Sequence, residues 1–440
     1  MITISRMKAA LMQTCGLPKN LSLALLLLTS ARPSVAGDWP QWRGPARDGH
    51  AAADEIAPAT LPREPKVIWR LEIGGGFSSP VVAGGKLAYL DGRDGKEVAH
   101  LIDAQTGKEL WRVPYAEMYE DEWGPGPRST PIIDGERVYI QSCNGEFRCL
   151  SLADGKVIWG TSFEKDFGVP FLGSKANEGT ASRRGNNGTS VIDGDRIFVP
   201  VGSGNGASLV AFDKRSGKVL WKSQNDEAAY SSPMIGTLAG VRQVIYFSAD
   251  ALMGLKTDDG KLLWRVPLKT DAKRHAATPV IYGDSVIVNS QTIGLRCFKI
   301  TKGPDGLNAT PAWVNRDLKI NISTPVLAGS NLYSQGTGVN LVCVDANNGN
   351  LLWSHDGFGE RFGAAVAVGK QLLIVSDRGE LVLVSADSSK YSELGRLQVC
   401  GKTWNSPAYA GGRLFVREGL TSGWKLSCLE LTAATASSSQ

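Results

Sequence analysis

Apolar residues along this chain fall into short alternating runs, with few long helical patterns. Eight times a small-residue start opens such a run. The stronger copies are Ser79-Pro80-VVAGGKLAYL, Thr130-Pro131-IIDGERVYI, Ser232-Pro233-MI, Thr278-Pro279-VIYGDSVIV, Thr324-Pro325-VLAGSNLY and Ser406-Pro407-AYAGGRLFV. Weaker copies begin at Thr189-Ser190 and Ala364-Ala365. A second phrase, Asp-x-x-x-Gly-x-x-x-Trp, follows as Asp103/Gly107/Trp111, Asp213/Gly217/Trp221 and Asp345/Gly349/Trp353, while Gly155/Trp159 and Gly260/Trp264 keep its last two members. Trp69 and Trp313 complete a set of seven tryptophans in fourth-strand positions.

Each copy predicts four short strands with period-two alternation between turns. In the turn before the Trp strand, Asp can bond the backbone ahead of it, and Gly supplies the left-handed φ that a Cβ would penalise. One such sheet cannot bury both faces, so the sheets stack around an axis with each Trp wedged between neighbours. The expected fold is all-β, an eight-bladed β-propeller of four-stranded antiparallel blades. The last copy has three strands, and Lys66–Leu71 (KVIWRL), which has no start of its own, is expected to complete it and close the ring. The 364–399 copy lacks the Gly-x-x-x-Trp phrase and reads as a blade with a degraded outer strand. If it is irregular, the ring has seven blades.

The 48 basic and 43 acidic residues give a net charge of +5. Arg6, Lys8, Lys19 and Arg32 lie in the first 36 residues, which hold no Asp or Glu, so the remainder is nearly balanced. Bulk charge therefore gives no argument for nucleic-acid binding. The same 36 residues read as a cleaved secretory signal: a basic start, the apolar run Leu21–Leu28, and Ser34-Val35-Ala36 before the cut. That run is far short of the ~20 residues a membrane span needs. The chain is thus expected to be exported, periplasmic or extracellular in a bacterium, without a membrane span. Residues 37–65 would form an extension packing on the propeller rim through Trp39 and Trp42, residues 66–432 the propeller, and residues 433–440 a flexible tail. A closed ring leaves few free strand edges, which fits a monomer.

These repeats resemble those of pyrroloquinoline-quinone (PQQ) repeat propellers over nearly all of the chain after the signal. The opening Asp38-WPQWRGPARDG-His50 is similar to the extension that precedes such propellers in secreted bacterial proteins. The resemblance implies the fold. On function it implies two directions, because the family includes quinoprotein dehydrogenases and non-catalytic scaffolds such as the propeller lipoprotein of the outer-membrane β-barrel assembly machine. Alcohol-oxidising members use an adjacent Cys pair, calcium-holding carboxylates with an Asn, and an Asp base. None of these motifs occurs here.

Other chemistry is sparse. Cys149, Cys297, Cys343 and Cys428 share one third-strand register that Ala211 fills in another copy, which marks a small buried packing site. Cys143 and Cys149 flank one hairpin and do not face each other. The four His are scattered, and no metal-spaced Cys/His set exists. The residue two before each start should overlook the axis at one face: Phe77, Arg128, Asn187, Tyr230, Ala276, Ile322, Phe362 and Trp404. Near them fall Arg183, Arg184, His275, Arg361 and Lys402, with long connections at 112–129 and 160–189. The expected site is this channel mouth, an aromatic and cationic funnel for a protein partner or a small polar or anionic ligand. The residues favour a non-catalytic binding or scaffolding protein with no predicted cofactor. A PQQ- and calcium-dependent oxidoreductase and a carbohydrate-binding accessory protein are the alternatives.

Overall fold

The structure is a computed structural model that describes residues 37–169, 186–270, 273, 275–336, 338, 340–420 and 422–431. The signal, Arg183, Arg184 and the tail lie outside them.

Eight four-stranded antiparallel sheets form the blades. Blades 1 to 7 span residues 81–117, 132–162, 191–223, 234–267, 280–315, 326–356 and 363–398, each running from its first strand to its fourth. Blade 8 takes three strands from 408–430 and its fourth from Lys66–Glu72, whose register pairs Trp69 with Cys428 and Lys66 with Glu430. The expected closure by the N-terminal strand is therefore present. First strands of neighbouring blades touch one another and form the inner ring. The only helix among the described residues is Phe163–Phe167, and none is long and apolar enough to cross a membrane.

Two sets of inter-blade bonds explain the repeated phrases. At the starts, backbone N–H groups donate to the Ser or Thr hydroxyl of the next blade. Ser79 donates to Thr130 (3.4 Å), Thr130 to Thr189 (3.0 Å), Thr189 to Ser232 (3.0 Å) and Thr278 to Thr324 (3.0 Å), while Ser406 donates to Ser79 (3.2 Å) across the closure. On the outside, six indoles donate to a carbonyl in the next blade's turn: Trp69 to Ala104, Trp111 to Leu152, Trp159 to Lys214, Trp221 to Thr257, Trp313 to Ala346 and Trp353 to Asp387, each at 3.0 Å. Blade 5 replaces that turn by a long hairpin, Gly294–Asn315, and the Trp264 indole instead donates to Gln243 Oε1 within its own blade.

Every fourth strand carries a register shift just before the Trp position. This bulge leaves aliphatics such as Val157, Ile158, Val219 and Leu220 exposed while the Trp turns inward. The small third-strand residue lies opposite the ring, as in Cys149 with Trp159, Cys343 with Trp353 and Ala211 with Trp221. Its size makes room for the indole, and all six cysteines of the described residues are free and buried.

Blade 7 corrects one expectation. Its outer strand, Glu393–Gln398, is fully paired, so the ring has eight regular blades. Gly395 occupies the Trp position opposite the larger Leu383. The missing ring is replaced from the leader, where Leu61 sits against Gly395 so closely that a Cβ there would meet the Leu61 Cβ at 3.2 Å.

The leader reaches further in than expected, since its first part enters the inner ring while Leu61 lies on the outer strand of blade 7. Trp39 exchanges two backbone bonds with Val82 of blade 1, and the Pro40 carbonyl accepts from Ile133 of blade 2. The Trp42 indole donates to Thr278 Oγ1 of blade 5 at 3.0 Å. Arg43 donates to the carbonyls of Thr324 and Pro325 in blade 6, and Arg47 to those of Thr189 and Ser190 in blade 3. Gly49 and Ala51 pair with Ala367 of blade 7, and Glu55 accepts from Gly411 and Gly412 of blade 8. One short segment thus binds seven blades, six at or just before their first strands and blade 8 at its Gly411–Gly412 turn. It fills the axis up to the level of the Ser/Thr latches.

Candidate functional site

Beyond those latches lies the mouth, and it is built on rigid supports. Second strands end in a polar side chain that ties a mouth loop to the blade. Gln141 donates to the carbonyls of Asn186 and Gly188, Asn289 to those of Ile320 and Ser323, and Gln335 to that of Phe358. Asp377 accepts from the backbone of Glu360 and Arg361. In blade 8 the position is Arg417, buried, with its guanidinium donating to Ser78, Leu90 and Gly74 carbonyls. Asp91 is the blade 1 equivalent. It accepts from Gly74 N, Arg93 Nε and His100 Nε2. Burial alone would raise its carboxyl, but these donors hold it down at about 2. Sequence reading missed this ring of supports, although a polar residue closing an apolar second strand recurs from copy to copy.

Three predicted mouth residues meet directly. Phe77 lies 6.1 Å from Trp404 between ring centroids, and the Arg128 guanidinium sits 4.6 Å over the Phe77 ring. Trp123 and Trp424, neither of them predicted for the site, join the cluster. Trp123 lies 5.3 Å from Trp404, and Trp424 meets Phe77 edge-on at 6.0 Å. Trp123 is 39% exposed, at the tip of a two-strand hairpin formed by Glu120–Asp121 and Gly124–Pro125. Beneath the hairpin, Tyr119 packs under Arg128, and the buried Glu97 accepts from Tyr115 Oη at 2.8 Å and from Tyr119 N.

The remaining predicted residues have other roles. Phe362 is buried and, with Ile322, lines a small void against Trp39, Trp42 and Arg43 on the axis. The Asn187 amide oxygen accepts from the Cys143 thiol at 2.9 Å. Tyr230 is half-buried, and Arg361 is exposed with its backbone held by Asp377. His275 is fully buried, stacked on Phe247 at 4.0 Å with Nδ1 against the Ser248 carbonyl, and burial lowers its pKa. It is a neutral packing group, not a cation of the funnel. Arg128, the central predicted cation, is likewise engaged. It pairs with Asp121 at 2.7 Å and donates to the carbonyls of Gly124 and Gly126. The cationic half of the expected funnel is therefore neutralised at its centre, and the aromatic half stands.

PQQ is a planar tricarboxylate that calls for cations and stacking surfaces together. The stacking surface is available, but the central guanidinium is committed to Asp121 and backbone oxygens. Among the described residues no three His, Cys, Asp or Glu converge to hold a calcium ion. Among the described residues, those at the mouth do not fit the group.

Eight such blades, latched by Ser/Thr starts and wedged by Trp, define a PQQ-like repeat propeller. The family model described as Outer membrane protein assembly factor BamB matches residues 62–169, 94–340 and 336–434, and the chain belongs to that family. An Outer membrane protein assembly factor BamB from Shewanella oneidensis is 24% identical over 385 residues, 80% of this chain and 86% of that protein. Its counterpart from Burkholderia pseudomallei is 25% identical over 225 residues, 50% of this chain and 51% of that protein, so the match spans about half of that relative. The crystal structure of BamB from Moraxella catarrhalis aligns with a TM-score of 0.53 at 14% identity, covering 83% of this chain and 97% of that one, a likeness of fold.

Proposed function

We propose that this protein is an exported, non-catalytic scaffold that binds a protein partner through the mouth face, with Trp123, Trp404, Phe77 and Trp424 as anchors. One observation carries the reading: an aromatic cluster stands partly exposed over loops fixed to their blades, while its central cation is consumed internally. Aromatic side chains on rigid supports make interface anchors at low ordering cost. The relatives' printed name, Outer membrane protein assembly factor, supports a partner from outer-membrane protein assembly. The basic start and the apolar run Leu21–Leu28 support export.

The test is site-specific photocrosslinking in the bacterium of origin. A photoreactive residue at position 123 or 404 should yield a discrete protein adduct. The same residue at position 195, in the Gly194 turn on the opposite face, should yield none. Equal adducts from both faces would overturn the assignment of the face. Stoichiometric PQQ and calcium binding with dye-linked alcohol oxidation would overturn the non-catalytic reading.

A further inference from the structure

Glu97 is a fully buried carboxyl set beneath the hairpin that carries Trp123. It pairs with Gly92 across the strands of blade 1, and the base of the hairpin rests on that glycine. A Cβ built there would meet Met118 Sδ at 2.6 Å and Gly126 Cα at 3.2 Å. One Glu97 oxygen accepts from Tyr115 Oη at 2.8 Å and the other from Tyr119 N at 3.4 Å, while the Ser142 hydroxyl of blade 2 supplies a third donor. Among the described residues Glu97 makes no ion pair: Arg128, a cation whose field reaches it, is committed to Asp121 at 2.7 Å and to the Gly124 and Gly126 carbonyls. A buried carboxylate without a counter-charge is costly, so such a group holds its proton more tightly. Burial is the largest influence and pushes the carboxyl up to about 7 against its donors.

The elements packed around Glu97 bring few charges to it. Blade 1 gives Tyr115 from its outer strand, with Asp91 close enough for its field to reach that tyrosine, and Lys96 is turned outward to Glu117. The hairpin and its stem give Tyr119, Asp121 and Arg128, and blade 2 gives Ser142 and Cys143. Burial pushes the Tyr115, Tyr119 and Cys143 pKa values up, so those three stay protonated while Glu97 ionises near neutral pH. An ionised Glu97 has two sources of relief, and both move the hairpin. Water enters where Tyr119 lifts away, and Tyr115 lines an open cleft of about 570 Å³ between blades 1 and 2 that supplies it. Arg128 turns inward only by leaving Asp121 and the Phe77 ring, which it covers at 4.6 Å. Either way the aromatic cluster loses a support on which it is built.

We propose that Glu97 is a proton-operated catch for the mouth: protonated, it holds the Trp123 hairpin closed, and on losing its proton it releases the hairpin and parts the aromatic cluster. The enclosed carboxyl has the higher proton affinity, so raising the pH favours the open form. Closure is fully supported below about pH 4.5 and is lost as the pH rises through about 7. The closed-to-open ratio then falls by up to about 300-fold in all, and by about tenfold between pH 6 and pH 8. That the catch regulates partner binding rests on the reading of the mouth above. The catch itself does not, and the two fail separately because its test needs no partner.

Hydrogen exchange of the intact protein measures it. The Tyr119 amide donates to Glu97 and the Gly126 amide to the Tyr119 carbonyl, so both report the hairpin. After correction for the intrinsic pH dependence of exchange, their protection should fall about tenfold from pH 6 to pH 8. The fall should be insensitive to dilute urea, because a local opening exposes little surface. In Glu97→Gln their protection should be the same at both pH values. Constant protection in the unaltered protein, a fall that steepens with urea as global unfolding does, or a fall retained in Glu97→Gln would overturn the catch. If that variant does not fold, the carboxyl NMR resonance of isotope-labelled Glu97 in the unaltered protein decides. A titration midpoint near 7 supports the catch, and one near 4.5 overturns it.

Discussion

Gly217 offers a clean measure of how much the Trp wedge contributes to the ring. Its φ is +73°, and a Cβ built on it would meet Trp159 Cδ2 at 2.5 Å. Gly194, in the turn between the first two strands of the same blade, has φ +58° and nothing within 4 Å of a built Cβ. Alanine at either position bears the left-handed backbone cost of about 1–2 kcal/mol. At Gly217 it must also displace an indole that is 9% exposed, stacked against Phe147 and Phe212 at 5.5 and 5.7 Å, and bonded to the Lys214 carbonyl at 3.0 Å. Overpacking adds about 1–3 kcal/mol, and loss of the indole bond adds about 1 kcal/mol. Gly217→Ala should therefore destabilise by about 3–6 kcal/mol and Gly194→Ala by about 1–2 kcal/mol. Urea unfolding with matched slopes reads the difference. Trp159→Ala should itself cost about 3–5 kcal/mol. In its background the Gly217→Ala cost should shrink to that of Gly194→Ala, a coupling of about 2–4 kcal/mol. Equal costs for the two alanines, or a Gly217 penalty that persists without the indole, would refute the wedge.

Glu97 predicts a pH dependence. Burial pushes its carboxyl up to about 7, against hydrogen bonds from Ser142, Tyr115 and the Tyr119 backbone. The folded value lies above the unfolded one, so the folded state retains a proton that the unfolded chain has released. Stability should then fall by up to about 3 kcal/mol as pH rises from about 4.5 to about 7. Glu97→Gln should flatten that slope in urea titrations at pH 5 and pH 8, and an unchanged slope would rule the account out. Thr189→Val removes the acceptor for the buried Thr130 N–H and should cost about 1–3 kcal/mol by the same assay, whereas a change under about 0.5 kcal/mol would mean that the start latches are dispensable. Deleting residues 37–51 removes bonds to six blades, so the shortened chain should melt earlier and be cut faster by protease. An unchanged midpoint would show that the leader is a passive filling.

Much of the fold was legible because the repeat writes the same physical requirement many times. Ser79, Thr130, Thr189 and Thr324 are small hydroxyl residues since each must accept a bond from the preceding blade. Gly107, Gly155 and Gly217 combine a left-handed turn with a ring lying on the α-carbon. The exceptions were legible only in space. Gly395 looks like a degraded copy until Leu61, far upstream, is found against it. The leader arginines look like ordinary loop charges, because backbone carbonyls, their partners, leave no signature in a side-chain pattern. At the mouth, counting back from each start located Phe77, Arg128 and Trp404. The same counting could not show that Asp121, seven residues before Arg128, cancels its charge, nor that Trp123 and Trp424 arrive from loops outside the register.

The indole bonds and the five Ser/Thr start bonds run in one direction around the circle, while Gly363 N of blade 7 donates back to Ser323 Oγ of blade 6. Six blades give an indole N–H at the outside and five give a start N–H at the inside to the successor, and blade 8 gives both to blade 1. An open array would leave its terminal blade without a successor, and closure removes that end. The leader then joins seven of the eight blades, 1, 2, 3, 5, 6, 7 and 8, including pairs that do not touch each other, through one segment. With the axis occupied by Trp39, Trp42, Arg43 and Arg47, a large ligand meets the ring only from its faces. The mouth face alone combines a cluster of large aromatics with loops tied by Gln141, Asn289, Gln335, Asp377 and Arg417 to the sheets behind them. Fixing those loops in advance lowers the ordering cost of association. In a molecule built this way the rigid interior and the proposed binding face follow from one design, since the closed circle that shuts the axis also supports the loops that carry Trp123 and Trp404.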